Sequence, residues 1–148
     1  MAWTSRRRLL RRIDSDRVLA AIRAAELRTS GEIRVSLSRY FWGRVEPVAR
    51  KAFDRLGMNA TADRNGILFF VVPSRRRFVV LGDAGIHAKV GPDFWSCVAA
   101  SLSGRFKKGE FTEGLIEGIT SAGEQLAAHF PHAGEADRNE LPDAIDCR

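Results

Sequence analysis

The stretch Gly66–Val72 (GILFFVV) runs for seven residues without a polar side chain. A strand wetted on one face alternates apolar and polar residues, whereas one covered on both faces reads as a continuous apolar run. This stretch is strand-length and far short of the roughly 20 residues that span a bilayer. A chain containing it has to supply a layer of structure on each side, and the rest of the sequence can be read for those layers.

Glu32–Ser38 (EIRVSLS) sets Ile33, Val35 and Leu37 against Glu32, Arg34, Ser36 and Ser38, the period of two that predicts a strand. Arg77–Leu81 (RFVVL) follows the short polar turn Pro73-Ser74-Arg75-Arg76, which predicts a hairpin with the apolar strand. A helix is expected over about 14–28, capped by Asp14 or Ser15, with Val18, Ile22 and Ala25 at helical spacing. A second is expected over about 46–56. A third begins near Pro92 and carries Phe94, Val98, Leu102 and Phe106 four residues apart. A fourth runs from Phe111 to His129 with Leu115, Ile119, Ala122 and Leu126, and Pro131 stops it. Gly82-Asp83-Ala84-Gly85 reads as a loop by composition.

The order α-β-α-β-β-α-α predicts an α/β fold, a three-layer α/β/α sandwich around a small mixed sheet. The first two strands are joined through a helix and are expected to be parallel, with the third running back. The 148 residues suit one domain. Its expected bounds are 13–131, with a basic arm at 1–12 and a polar, loosely held tail at 132–148.

The net charge of +6 is unevenly spread. Arg6, Arg7, Arg8, Arg11 and Arg12 carry five positive charges with no acid among the first twelve residues, leaving 19 basic and 18 acidic side chains in the remainder. The arm can bind an anionic surface or phosphate groups. No motif for reading DNA or RNA accompanies it, so sequence-specific nucleic-acid binding is not expected. The arginines are not followed by an apolar signal segment, and Cys97 and Cys147 form no disulfide framework. A cytoplasmic monomer with reduced thiols is the expectation.

In a parallel pair the strand starts lie at one end of the sheet, and an antiparallel third strand ends there too. Ser30, Gly31 and Glu32, then Arg64, Asn65 and Gly66, and finally Asp83 should therefore share one rim. Carboxylate and amide oxygens suit a hard cation such as Ca2+ or Mg2+, with Glu32, Asn65 and Asp83 as ligands and Ser30, Gly31, Arg64 and Gly66 around them. Arg64 can neutralise the acids or grip an anion. Ordinary turn chemistry, with Glu32 and Arg64 as a simple salt bridge, accounts for the same residues. There is no CxxC, GxGxxG, P-loop or GxSxG, and His87, His129 and His132 form no ligand pair. Cys97 falls near the buried stripe of its helix, Trp95 reads as core, and Phe41-Trp42 reads as local packing or a partner-facing loop.

Five segments, AIRAAELRTSGEIRV (21–35), AFDRLGMNATADRNGILFFV (52–71), LGDAGIHAKVGPDFW (81–95), FKKGEFTEGLIEGI (106–119) and FPHAGEADRNELPDAI (130–145), together resemble the TPM domain. The resemblance spans about 20–145 and is closest to the short, stand-alone bacterial form. It implies the α/β/α sandwich and divalent cation binding, usually Ca2+; a plant member described as an acid phosphatase extends it to phosphoryl chemistry. Many long members carry an aspartate where this chain has Arg64, and a glycine-tyrosine-glycine turn where it has Gly82-Asp83-Ala84-Gly85. Asp83 supplies a carboxylate nearby. No catalytic residue is identified, and the leaning is away from an enzyme. The leading expectation is a binding or regulatory module with weak cation binding at the strand-end cluster. A metal-assisted phosphatase comes second. A module that docks through the basic arm on an anionic surface or a membrane protein comes third.

Overall fold

A parallel strand pair needs a crossover, and the computed structural model, which describes residues 13–39, 43–132 and 145–147, supplies it with a helix. Strands β1 (Glu32–Leu37) and β2 (Gly66–Val72) are parallel, with Glu32 opposite Gly66 and Leu37 opposite Val71. Helix α2 (Val45–Arg55) connects them. Strand β3 (Arg77–Gly82) returns antiparallel to β2, placing Gly82 opposite Ile67. Helix α1 (Ser15–Glu26) precedes β1; α3 (Ala84–Lys89), α4 (Pro92–Lys107) and α5 (Phe111–His129) follow β3.

The apolar run is central, as its composition demands. On one face of the sheet, Ile33, Val35, Phe69 and Val71 pack with Val18, Ile22, Leu102 and Ile119. On the other, Leu68, Phe70 and Val72 pack with Ala49, Phe53 and Met58. Each such large side chain contributes roughly 1.5–3 kcal/mol when withdrawn from water. The α/β/α sandwich and its mixed sheet are thus as the residue pattern predicts. Asp14 caps α1 by accepting from Arg17 N–H at 3.2 Å, one of the two expected caps.

Three local expectations need correction. The stretch after β3 is not a loop: Asp83 takes the N-cap position and its carboxylate accepts from Ala84 N–H at 2.8 Å, which starts α3 at once. His87 accordingly lies on that helix. The tail is not loosely held throughout. Ile145 is buried, and Asp146–Cys147 form β4, parallel to β1 opposite Ser36 and Leu37, which gives the sheet order β3-β2-β1-β4. Cys97 is exposed, because it sits one position before the buried Val98 and so faces off the α4 stripe. The arm with Arg6, Arg7, Arg8, Arg11 and Arg12 lies outside the described residues, as do Phe41, Trp42 and 133–144. Among the described residues no helix is long and apolar enough to cross a membrane.

Candidate functional site

The three expected loops do meet at one end of the sheet. Glu32 stands opposite Gly66 in the β1–β2 register, and Asp83 N–H donates to Gly66 O at 2.9 Å. Gly66 thus lies between the two acids in sequence-distant strands. Its neighbour Asn65 reaches the third loop, with Nδ2 donating to Ser30 Oγ at 3.3 Å. Glu32, Asn65 and Asp83 are all buried, at 3%, 1% and 6% exposure. Strand starts have to be satisfied by something other than the ladder, and here side chains do it. Asn65 N–H donates to Thr61 Oγ1 at 3.2 Å, and Gly31 N–H to Thr29 Oγ1 at 3.0 Å. Thr29 Oγ1 in turn donates to Phe130 O, which ties the end of α5 to the same rim.

Arg64 settles between its alternatives on neutralisation. Its Nε and Nη2 donate to the two oxygens of Asp83 at 2.6 and 2.9 Å, a bidentate fork of the strong kind. Burial pushes the Asp83 carboxyl up. The Arg64 fork, the Ala84 N–H bond and the charges of Arg64 and Arg50 outweigh this and hold it below the usual carboxylate range. The guanidinium itself is half exposed, with 52% of its side chain accessible. Arg64 takes a left-handed backbone at φ 52°, which turns its carbonyl toward α3, where it accepts from Gly85 and Ile86 N–H at 2.8 and 3.3 Å. Gly85 is required by this approach, since a Cβ there would lie 2.1 Å from Asp63 O.

Two buried side-chain polar atoms are left over without a hydrogen-bond partner among the described residues, Trp95 Nε1 and, at the rim, Asn65 Oδ1. Reversing the amide would only exchange which of its atoms goes unpaired, because Ser30 Oγ can donate or accept. An unpaired buried amide group costs about 1–3 kcal/mol, and buried polar groups are usually paired with protein, water or an ion. Among the described residues no three His, Cys, Asp or Glu side chains converge on a metal-sized space. Any cation at the rim would rest on the oxygens of Asn65 and Ser30 with at most the two carboxylates. Gly31 and Gly66 line the rim by leaving room: a Cβ at Gly31 would press on Leu126, and one at Gly66 on Met58.

Residues that the sequence reading passed over also shape the site. Thr61 and Thr29 supply the hydroxyls that cap the strand starts, and an isolated threonine in a loop gives no pattern to detect. Trp95 packs its ring where a Cβ of Gly82 would fall and meets the His87 ring at a tilt of 37°, 4.9 Å between centroids. That contact crosses from α4 to the end of β3 and has no local signature.

The fold and rim define a class: a small α/β/α domain with a mixed sheet and a buried polar edge at its strand starts. Residues 4–125 match the TPM domain, and the chain belongs to that family. It is 37% identical to the BA42 protein of the psychrophilic bacterium Bizionia argentinensis, over 92% of this chain and 95% of that one, with a TM-score of 0.83. The N-terminal domain of a protein from P. gingivalis shares the fold at 22% identity, over 75% of this chain and 72% of that one, with a TM-score of 0.61. So does the N-terminal domain of cg2496 from Corynebacterium glutamicum, at 12% identity, 92% and 81% coverage and a TM-score of 0.56. No curated protein matches the chain.

Proposed function

We propose that this TPM domain is a binding module whose rim takes a hard divalent cation weakly, Ca2+ in preference to Mg2+. The observation that carries the reading is Asn65 Oδ1, an acceptor buried at a rim that also holds two carboxylates and lacks a partner among the described residues. Asn65 Oδ1 and Ser30 Oγ would hold the ion as neutral donors, and Glu32 would supply charge. Asp83 joins only if Arg64 lets go of it, so the ion competes with a guanidinium. The irregular arrangement suits Ca2+, which accepts flexible oxygen geometry, better than Mg2+, which demands an octahedron and keeps its waters. A set with so few carboxylates belongs with the weak sites, of order 10⁻⁴–10⁻³ M.

An NMR titration of the full chain with CaCl2 tests this. Amide shifts should saturate in the millimolar range and centre on residues 30–32, 64–66 and 83–85. Asn65→Ala should abolish them while the rest of the spectrum is kept. Arg64→Gln should tighten binding several-fold, since it frees Asp83. Shifts spread over the acidic surface, or unchanged in Asn65→Ala, would refute the reading.

A further inference from the structure

We propose that the opposite end of the sheet is a docking face for an anionic lipid bilayer. Three connections bring cations together there: Arg39 and Arg44 flank the β1–α2 connection, Arg76 and Arg77 stand on the β2–β3 hairpin, and Lys107 and Lys108 end α4. All six are exposed. Hydrogen bonds fix their positions relative to each other. Arg76 Nη1 donates to Lys107 O at 2.8 Å, joining the hairpin to the end of α4, and Arg75 Nη1 donates to Gly43 O at 3.1 Å, joining it to the β1–α2 connection.

The acids at this end offset the cluster only in part. Glu46 lies 4.0 Å from Arg44, with both side chains exposed, a distance at which a surface pair contributes little. Glu110 is held by Arg105 at 2.8 Å, and Glu113 by Arg17 at 3.4 Å. Asp14 and Asp16 sit at the start of α1, and Asp146 lies on β4 opposite Ser36 near the end of β1. Arg39, Arg77, Lys107 and Lys108 have no ion-pair partner among the described residues.

Helix α1 starts at the same end. Asp14 N–H donates to Thr112 Oγ1 at 2.9 Å, so α1 begins beside the start of α5. Charge complementarity selects the partner's sign, and the shape of the face selects its kind. Readers of duplexes place an element in a groove, and binders of single strands stack bases on exposed aromatics. Here the cations stand on connections rather than along a groove. The one large hydrophobic side chain exposed among the described residues, Leu27, follows the far end of α1. A planar anionic surface asks only for several cations presented on one side, with contributions that accumulate charge by charge.

The test is co-sedimentation of the full chain with vesicles of phosphatidylcholine alone and of equal parts phosphatidylcholine and phosphatidylserine. Binding is expected only to the anionic vesicles, and is expected to vanish near 1 M NaCl, where the screening length is about 3 Å. The variant Arg44→Gln, Arg77→Gln, Lys107→Gln and Lys108→Gln keeps the arm intact. It also keeps Arg76, whose guanidinium and left-handed backbone (φ 49°) support the hairpin. At about fivefold per charge it should lower partitioning at least about a hundredfold, with an unchanged amide spectrum away from the substituted positions. Equal binding of neutral and anionic vesicles, or undiminished binding by the folded variant, would overturn the proposal. So would binding to a DNA duplex of arbitrary sequence under conditions where the anionic vesicles are ignored.

Discussion

Gly85→Ala should destabilise the domain through the rim, and the cost can be worked from contacts. The new Cβ would lie 2.1 Å from Asp63 O and 2.6 Å from Arg64 O. These are backbone carbonyls, so neither can swing aside like the tip of a side chain. Gly85 is not in the left-handed region, which leaves contact and not conformation as the cause. Relief requires the Asp63-Arg64 segment to move away from α3, and that stretches the bonds from Gly85 and Ile86 N–H to Arg64 O, now 2.8 and 3.3 Å. Each such bond is worth about 0.5–1.5 kcal/mol, and overpacking adds about 1–3 kcal/mol. Alanine's better helix propensity returns up to about 1 kcal/mol. The net loss is then about 2–3 kcal/mol, a fall in melting temperature of roughly 5–10 °C for a domain of this size. Gly104→Ala is the control, since it lies in α4 with nothing within 4 Å of the added carbon. It should gain about 0.5–1 kcal/mol. Thermal melts followed by circular dichroism give both numbers. If Gly85→Ala melts within about 2 °C of the wild type, the close approach of α3 to the Arg64 carbonyl is not a constraint and the reasoning fails.

Asp83 should make stability acid-sensitive. Its folded pKa is depressed below the ordinary 3.8, so its contribution is complete above that value and is lost as pH falls through the folded one. Urea midpoints measured down from neutral pH should show this limb in the wild type. Asp83→Asn should be less stable at neutral pH with a flatter limb; a variant limb as steep as the wild type's would assign the acid loss elsewhere. Gly118→Ala should cost about 1–3 kcal/mol in denaturant melts, because its Cβ would come 2.9 Å from Phe69 Cε1 and 3.4 Å from Leu102 Cδ1, where α5 crosses the sheet. Phe69→Ala removes a ring that is 1% exposed and should cost about 3–5 kcal/mol; a loss under about 1 kcal/mol would mean the site collapses around the gap.

The sheet and its helices were legible because their signals are local. Period two in EIRVSLS, the unbroken GILFFVV and the four-residue spacing from Phe94 to Phe106 each report burial directly. What failed was chemistry decided by geometry. Asp83-Ala84-Gly85 has the composition of a turn, yet a single side-chain bond from Asp83 to Ala84 N–H converts it into a helix start. Asp146–Cys147 is too short for any period to appear, and its pairing with β1 depends on where a long connection returns. Cys97 was misread by one position, and on a helix one position is about 100° of rotation. At the rim, chain direction was enough to bring Glu32, Asn65 and Asp83 to one edge. The partner of Arg64 was not legible, because Glu32 and Asp83 are equally near it in topology.

That pairing has a consequence for how the rim should respond to ions. Asp83 serves at once as the N-cap of α3, the acceptor of the Arg64 fork and the carboxylate nearest Gly66 in the β2–β3 pairing. A cation that drew on Asp83 would have to displace the guanidinium, whose side chain is already half in solvent and can leave at little cost in packing. The bond to Ala84 N–H need not break, since a carboxylate has lone pairs to spare. Ion binding would thus release a positive charge to the surface while leaving α3 in place. The predicted outcome is a guanidinium freed from its carboxylate at the rim, with a net charge change equal to that of the ion and no change of fold. At the far end of the sheet the basic face depends on none of these residues, so Arg64→Gln should alter cation affinity and leave vesicle binding as it was. Loss of both in that single variant would mean that the two ends are coupled through the sheet, against the separation drawn from their contacts.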